Sequence, residues 1–473
     1  MMLDFMLKKL KILVALLVFS VIYTLIIIIF RDIPMFWDMS YISQISNLIY
    51  DNHFTSFIFS VTDNGATPIY SIYLASLWAV FGKSLLVSHL AILPFVIGML
   101  YQLYKLAERF IEKKYFYILF LILLIEPTIA TQTIIAGYDI VYCYLFLLGL
   151  NSIFDNKRFL IALSVIFMPL LNLRGFSLVI ALFIIDWYIN YHKYKNIKKL
   201  AFSTIAYLPS ILLLIFWLLY HYKLTGWFAI SGNREKYHNI NGLERMLRNI
   251  IYISWKIADF GRVLLFLFIF LIFLKNKKTK DNKGKTLFYI IILTVIPYII
   301  FFLPFSYPVS HRHFMVIYVI SVLAFVYFVS ILKKKSLRNV LFTLTIISLL
   351  SGNFILYPER FGNGWDSSLK VLPYFKMKKE FDDYLKRSGI SPSLIGTKFP
   401  MDFDNYDCYL NNNHYVFASL DTITFNKISY VTQSNISNTF TPDEINELNN
   451  NWILIKEIRS WPVYIKLFKN PEK

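Results

Sequence analysis

The chain has 473 residues, of which 57% are hydrophobic, and its formal net charge is +19. Soluble globular domains are typically about 45–50% apolar, so this composition argues against a soluble protein. The Lys and Arg residues cluster in short segments between apolar runs. This distribution is typical of cytoplasmic loops in membrane proteins and argues against nucleic-acid binding.

Apolar residues form continuous blocks, such as 12–30 and 286–305. Each block has roughly the 20 residues that a helix needs to cross a bilayer. Polar residues do not alternate within the blocks, which therefore predict helices rather than barrel strands. The first block follows Lys8, Lys9 and Lys11. It is longer than the apolar core of a cleaved signal peptide, about 7–15 residues, so we interpret it as an uncleaved first helix.

The basic loops predict the topology. Placing the N-terminal lysines in the cytoplasm puts every strongly basic short loop on one side of the membrane. This predicts about eleven spans, a cytoplasmic N-terminus and an outer C-terminal segment. The pair within 159–190 is short for two crossings, so a re-entrant hairpin is its alternative. The predicted spans are 12–30, 86–105, 115–134, 138–154, 159–172, 175–190, 201–221, 251–274, 286–305, 314–332 and 339–356.

The composition changes at about residue 357, where the chain becomes polar. We expect a transmembrane domain at 1–356, which includes a long outer loop at 31–83, and an extracytoplasmic α/β domain at 357–473. The predicted fold class is mostly α, a polytopic transmembrane helical protein with a small C-terminal α/β domain.

The C-terminal segment has its own secondary-structure signals. Residues 374–388 have a helical pattern. Thr441 as N-cap, Pro442 at the first helical position and Glu444 completing a capping box predict a helix start. The short β-prone runs are 393–398, 414–418, 428–432, 452–456 and 462–468.

The outer loop 31–83 is the most informative region for function. Residues 38–52 place their apolar side chains on one helical face, which predicts an amphipathic helix at the membrane surface. Asp38 lies at the start of this helix, and Asp63 lies in a turn after it. Two acids therefore bracket a surface helix at the outer edge of the membrane.

The same loop contains three informative stretches: Phe36-Trp37-Asp38-Met39-Ser40-Tyr41, Asp63-Asn64-Gly65-Ala66-Thr67-Pro68-Ile69-Tyr70 and Phe81-Gly82-Lys83-Ser84. This series resembles the first loop of membrane glycosyltransferases of the GT-C fold. It is most similar to the branch with protein O-mannosyltransferases and bacterial aminoarabinose transferases, glycosyltransferase family 39. Weaker similarities lie around Glu126–Asp139 and Ser310–Phe314, and the similarity in topology covers roughly residues 10–350.

The resemblance implies sugar transfer at the outer face of the membrane. The donor would be a polyprenyl-phosphate sugar, and the acceptor an unidentified glycan, lipid or protein. Asp38 would be the general base for a direct, inverting displacement, with Asp63 as a second catalytic residue. Asp139 and Tyr70 would bind substrate. The donor phosphate would meet cations at the outer ends of spans: Arg174, His311, Arg312 and His313.

The sequence departs from the family pattern at two places. Met39 replaces the second acid of the Asp-Glu pair, and Ala66-Thr67 replaces the His-Pro of the turn. Because metal binding would need that second carboxylate, we expect no metal, and we expect no other cofactor. Gly364-Trp365-Asp366 is similar to the Trp-Trp-Asp of oligosaccharyltransferases but lacks the flanking residues, so we interpret it as structural.

Each candidate also has a structural interpretation. Asp38 could serve only as a helix N-cap, and Asp63 only as a turn former. Glu126 lies within a predicted span, where an acid is either functional or paired with a neighbouring helix. Arg174 could simply end a short hairpin.

Two other functional classes stay open on the sequence. A transporter or flippase of a lipid-linked sugar would place polar groups near the bilayer midplane, often in paired repeats. Here the acids and cations that are candidate site residues concentrate at the outer ends of spans, and no repeat is seen. A non-catalytic membrane scaffold is the second alternative. The Ile-, Lys-, Asn- and Phe-rich usage suggests an AT-rich bacterial genome, and hence an inner-membrane location.

Overall fold

A computed structural model describes residues 2–59, 63, 65–194, 203–228, 242–276, 281–304, 309–357, 364–436 and 439–473. The chain is mostly helical and ends in a small mixed sheet. The apolar helices indicate an integral membrane protein, as the composition predicts.

The helices before the C-terminal segment follow the predicted spans. Each predicted span overlaps a helix or a pair of helices among the described residues, and positions 201, 202 and 305 of the predicted spans lie outside them. The helices are α1 Met2–Ile29, α2 Asp38–Asp51, α3 Ile69–Phe81, α4 Leu85–Leu90, α5 Leu93–Ala107, α6 Phe116–Ile125, α7 Pro127–Ile134, α8 Asp139–Asp155, α9 Arg158–Leu171, α10 Gly175–Tyr194, α11 Leu208–Thr225, α12 Leu243–Ala258, α13 Arg262–Asn276, α14 Asn282–Phe302, α15 Met315–Ser330 and α16 Lys335–Gly352.

Length and apolar composition identify the helices that could cross a membrane. Within the described ranges, four helical segments are long and apolar enough to cross a membrane, or up to six if each of two bent pairs counts as one. Shorter apolar helices of 10–17 residues accompany them. The four long segments are Leu85–Ala107, Thr204–Thr225, Asn282–Phe302 and His311–Ser330.

Two of the predicted spans are sharply bent. The 115–134 span bends by 66° between α6 and α7. Pro127 has no N–H to continue α6, and the Glu126 carboxylate caps the start of α7 by accepting from the Ile129 N–H. The 251–274 span bends by 94° between α12 and α13. There Gly261 has a φ of +83°, and a Cβ on it would lie 1.9 Å from the carbonyl oxygen of Ser348, so only glycine fits.

The helix predicted at 38–52 is present as α2, and its location at the membrane surface stays a prediction. Its burial extends beyond the apolar face, because polar side chains are buried together with apolar ones: Met39, Ser40, Ser43, Ile45, Ser46, Asn47 and Ile49. Helix α2 packs on α3, which lies in the same outer loop, and α3 in turn contacts α4 and α9 of the bundle. The centre of the bundle is α15, which is buried almost throughout its length and packs against α13 and α14. Helix α8 is similarly enclosed by α5 and α9. The N-termini of α2 and α8 and the turn before α15 carry the residues of the candidate site.

The C-terminal segment forms a small α/β unit, and the sequence predicted its elements except the short helix α18. The predicted helix is α17, and the capping box of Thr441 and Glu444 is confirmed at the start of α19. The sheet order is β2-β1-β3-β5-β4, with β1 parallel to β2 and β3, and β5 antiparallel to β3 and β4. The elements are α17 Pro373–Arg387, β1 Ile395–Thr397, α18 Asn405–Tyr409, β2 Ala418–Ser419, β3 Tyr430–Ser434, α19 Pro442–Asn451, β4 Ile453–Ser460 and β5 Val463–Lys469.

The C-terminal unit shares an apolar cluster with the outer loop. Phe36 lies 5.4 Å from Tyr374 between ring centroids, and Trp37 lies 6.2 Å from Phe375. Polar contacts extend this interface, because Asn47 of α2 donates to the Asp407 carboxylate at 2.7 Å. The unit is therefore packed directly on the segment that carries Asp38.

Candidate functional site

The site is organised around one guanidinium. Arg312 lies in a tight 3₁₀ turn, His311–Phe314, directly before α15. Ser310 caps this turn, and its backbone N–H donates to Nδ1 of His313 at 3.3 Å. The turn therefore holds Arg312 at the end of the most buried helix of the bundle.

Arg312 contacts three carboxylates that are distant in the sequence. Its Nη2 lies 2.6 Å from Asp38 Oδ2, its Nη1 lies 2.5 Å from Asp366 Oδ2, and its Nε lies 3.3 Å from Asp139 Oδ2. Asp38 begins α2 and Asp139 begins α8, so both acids sit at the positive ends of helix dipoles. Asp366 lies in a short turn at the start of the C-terminal unit.

The segment that presents Asp38 has an unusual backbone. Trp37 occupies the N-cap position of α2 with a φ of 52°, which is uncommon for a bulky side chain. Its ring is wedged edge-on against Phe36 and Phe375. Asp38 is thus the first residue inside the helix and not its N-cap, and its side chain points to Arg312.

A second guanidinium completes the charged group. Arg174 pairs with Asp139, donates to the Tyr138 hydroxyl at 3.2 Å, and lies 5.6 Å from the ring centroid of Tyr142. A small pocket opens between the two arginines. Its lining residues are Asp139, Tyr142, Arg174, Gly175, Leu178, Tyr298, Arg312, His313, Met315 and Val316.

The structure therefore brings together several residues that the sequence singled out. Asp38, Asp139, Arg174 and Arg312 form one group, and His313 lines the pocket beside it. Tyr70 is buried nearby, with its ring 5.7 Å from that of Tyr138 between centroids.

Asp63 lies apart from this group. Its Oδ2 lies 2.8 Å from His221 Nε2 on α11, and its Oδ1 accepts from the Gly65 N–H at 2.9 Å. The His221 ring packs edge-on against Trp227. No contact between Asp63 and Arg312 occurs among the described residues, so its catalytic role stays a prediction.

His311 belongs to a neighbouring buried network. Its Nε2 lies 2.8 Å from Asp259 Oδ1, in the bend between α12 and α13. Arg262 in turn pairs with Asp259 and with the fully buried Glu126. Of the two sequence interpretations of Glu126, the structure shows the paired one, with α13 as the partner helix. His311 therefore faces away from the pocket, although it adjoins Arg312 in the chain.

Sequence reasoning missed Asp366. Its carboxylate accepts from Ser310 Oγ at 2.8 Å and from Ser367 Oγ at 3.0 Å, and its backbone oxygen accepts from Gln132 Nε2 at 2.7 Å. The available signal was the Gly364-Trp365-Asp366 stretch, which looked structural. The position of Asp366 at the start of a polar segment gave no sign that its carboxylate contacts Arg312, which lies in a turn more than fifty residues earlier.

Within the part of the chain that the structure describes, no group of three or more His, Cys, Asp or Glu residues could hold a metal ion. Asp38, Asp139 and Asp366 are each occupied by arginine instead. The sequence-based expectation of no metal stays a prediction. Cys143 and Cys408 are free and buried.

Comparison with known proteins gives one informative similarity. No protein-family model and no curated protein sequence matches the chain. Among solved structures, the chain is similar to the crystal structure of ArnT from Cupriavidus metallidurans bound to undecaprenyl phosphate, with a TM-score of 0.53 and 10% sequence identity. The similarity covers 95% of this chain and 97% of that chain. At this identity the comparison establishes the fold alone: the chain has the GT-C-like fold that the resemblance of its first loop implied.

Proposed function

We propose that the protein transfers a sugar from a polyprenyl-phosphate donor to an acceptor at the outer face of the membrane. The observation that carries the proposal is the group formed by Asp38, Arg312, Asp139 and Arg174 beside a pocket. It places a partly exposed carboxylate next to two guanidinium groups. A base and an anion-binding pair are what such a transfer needs from the protein.

The arginines supply the donor side of the site. Arg174 and Arg312 both line the pocket, and a guanidinium binds phosphate oxygens in a bidentate manner. The similar structure of ArnT is bound to undecaprenyl phosphate, which supports a polyprenyl-phosphate donor here. His313 lines the same pocket. His311 is better placed to support the turn than to touch the phosphate.

Asp38 supplies the acceptor side. Its Oδ2 is paired with Arg312, whereas its Oδ1 accepts no hydrogen bond from the described residues. In the proposed step, Asp38 takes the proton of the acceptor hydroxyl while the acceptor oxygen bonds to the anomeric carbon. The bond from that carbon to the phosphate oxygen breaks, and the lipid phosphate leaves with the electron pair. One direct displacement inverts the anomeric centre.

The remaining predicted residues have supporting roles. Asp139 holds both arginines and borders the pocket, and Tyr70 packs on the ring of Tyr138 beside Arg174. Asp63 stays a candidate for catalysis through its pairing with His221. Asp63→Asn tests that role, because loss of transfer with normal donor binding would place Asp63 in the chemical step.

The proposed reaction requires a defined topology. We propose about eleven spans, a cytoplasmic N-terminus, a transmembrane domain at 1–356 and an extracytoplasmic domain at 357–473 in an inner membrane. The basic loops support this orientation. The packing of the C-terminal unit on Phe36 and Trp37 also supports it, because that unit must share the side of the outer loop.

Sugar transfer in isolated membranes tests the function. Membranes that contain the wild-type chain are supplied with radiolabelled polyprenyl-phosphate sugars, and label is followed from the lipid pool into product. We expect Asp38→Asn to lose about 10²–10⁴-fold in rate, the usual contribution of a positioned general base. Asp32→Asn is the matched control, because Asp32 lies in the same loop with a 92% exposed side chain.

The outcomes separate the functional classes. Equal rates for wild type and Asp38→Asn would remove Asp38 from catalysis. A wild-type chain that moves labelled lipid across the membrane without releasing the sugar would be a transporter. A chain that neither consumes nor moves any donor of the series would be a scaffold.

A further inference from the structure

The three carboxylates on Arg312 are held unequally. The Asp366 carboxylate also accepts from Ser310 and Ser367, and its side chain is 7% exposed. Asp139 is 4% exposed and is also paired with Arg174. Asp38 has Arg312 as the partner of one oxygen, accepts no other hydrogen bond from the described residues, and is 30% exposed.

The charges of the site are also unbalanced. Asp38, Asp139 and Asp366 carry three negative charges when ionised, whereas Arg174 and Arg312 carry two positive charges. An anionic phosphate that enters the pocket meets guanidinium groups already occupied by carboxylates. Each of the three nitrogens of the Arg312 guanidinium already faces one carboxylate. The phosphate can therefore take the place facing one of these nitrogens only if it displaces the carboxylate there.

We propose that Asp366 is the permanent anchor of Arg312 and that Asp38 is its displaceable partner. The donor's phosphate takes the place of Asp38 on Nη2, while Nη1 stays on Asp366. Donor binding thereby releases the carboxylate that acts as base. This inference rests on the proposed function, because it assigns an order of events to the same site.

The contacts explain why Asp38 is the carboxylate that leaves. Displacing Asp366 would also break its bonds to Ser310 and Ser367, and would leave a buried carboxylate without its cation, which is strongly unfavourable. Displacing Asp139 from Arg312 would break only the longest contact, at 3.3 Å. It would not free Nη2, the nitrogen that donates to Asp38 of the outer loop. Asp38 is the one of the three that can rotate into solvent.

The exchange of Asp38 for the donor phosphate on Arg312 makes donor binding precede activation of the acceptor. Before donor binds, Asp38 is neutralised by Arg312 and has one oxygen occupied. After donor binds, both of its oxygens are available to an acceptor hydroxyl. Asp366 is therefore a positioning residue and not a catalytic one, since it acts through Arg312. Through it, the C-terminal unit contributes a side chain to the donor site.

Binding of undecaprenyl phosphate to the purified, full-length protein tests the exchange. Asp38→Asn and Asp366→Asn remove the same charge from the same guanidinium, so each variant is the control of the other. We expect Asp38→Asn to bind about three- to tenfold more tightly than wild type, because the phosphate no longer competes for Nη2. We expect Asp366→Asn to bind more weakly, because Arg312 loses its anchor.

Several results would overturn the exchange. Equally tighter binding in Asp38→Asn and Asp366→Asn would show a pure charge effect and would overturn the exchange. Tighter binding in Asp139→Asn, with no change in Asp38→Asn, would make Asp139 the displaced group. If wild type binds no undecaprenyl phosphate, the donor site and the proposed function fail together. If wild type binds it and transfers sugar, but Asp38→Asn binds equally well, the exchange alone fails.

Steady-state kinetics distinguish positioning from loss of structure. Asp366→Asn should raise the KM for donor much more than it lowers kcat, whereas a misfolded site loses kcat in proportion to the folded fraction. Asp366→Glu keeps the carboxylate and should restore part of the donor affinity. Failure of Asp366→Glu to restore any affinity, in a protein with wild-type thermal stability, would overturn the anchor assignment.

Discussion

Arg262 and Glu126 show how a membrane bundle can bury charge. Both side chains are 1% exposed, and the Arg262 guanidinium also lies 3.8 Å from the ring centroid of Tyr318. A buried ion pair is costly to desolvate, and removing one partner leaves an uncompensated charge. The pair joins the cap of α7 to the start of α13, so it holds both bent helix pairs in place.

We predict that Arg262→Met destabilises the protein by about 3–5 kcal/mol, the usual consequence of leaving a buried partner uncompensated. Thermal unfolding in detergent measures the change, and Glu126→Gln in the same chain should recover part of it. Arg248→Met is the matched control, because its pair with Glu244 is 76% and 83% exposed and should contribute little. Equal losses in Arg262→Met and Arg248→Met would contradict the prediction.

At the scale of elements, α2 connects the bundle and the C-terminal unit. Asn47 donates to Asp407, the Tyr406 hydroxyl donates to Asp51 at 2.6 Å, and Lys83 lies 3.8 Å from the Tyr406 ring centroid. The start of α2 carries Asp38, so this interface sets the position of the proposed base. The contact between α18 and α2 is therefore a structural requirement of the site.

Burial raises the pKa of the Asp407 carboxyl above its ordinary value. The stability that this group contributes is therefore complete below the ordinary pKa, near 3.9, and is lost as the pH rises through the raised folded-state pKa. Asp407→Asn keeps an oxygen that can accept from Asn47 and removes the buried charge. We predict that its thermal stability relative to wild type increases from acidic to neutral pH.

The exposed Asp421→Asn variant is the control for this pH series and should follow wild type. Thermal unfolding at several pH values gives the comparison. A lower stability of Asp407→Asn at neutral pH would show that attraction between Asp407 and Lys83 outweighs the cost of burial, and the predicted sign would be wrong.

At the scale of the whole molecule, the proposed topology places the C-terminal unit and the basic loops on opposite sides of the membrane. The two native cysteines are buried, so introduced cysteines can be labelled with little background. We predict that Asn450→Cys, on the exposed side of α19, reacts with an impermeant maleimide in intact cells. Lys334→Cys, in an exposed basic loop, should react only after the membrane is permeabilised.

The reverse labelling pattern would invert the topology and place the proposed site on the cytoplasmic side. Labelling of both positions in intact cells would mean that the loop between α15 and α16 does not face the cytoplasm. Either result would contradict the sidedness that the proposed reaction requires.

The local elements of this protein were determined by its sequence alone. Apolar blocks predict the helices, 38–52 predicts α2, and Thr441 with Glu444 predicts the start of α19. These signals depend on periodicity, capping and hydropathy, which act between residues close together in the chain. Asp38, Asp139, Arg174 and Arg312 could also be singled out, because each falls at the predicted outer end of a span or in the outer loop.

Only the tertiary structure decided how these residues combine. Arg312 meets Asp38 across 274 positions of the chain and Asp366 across 54, and no local pattern encodes such distances. The tertiary structure also pairs Asp63 with His221 and His311 with Asp259, away from the pocket. The physical reason is that charged side chains in a low-dielectric bundle must find partners wherever packing brings helix ends together. The sequence shows which side chains carry charge, and the packing of α2, α8 and α15 decides which of them neutralise one another.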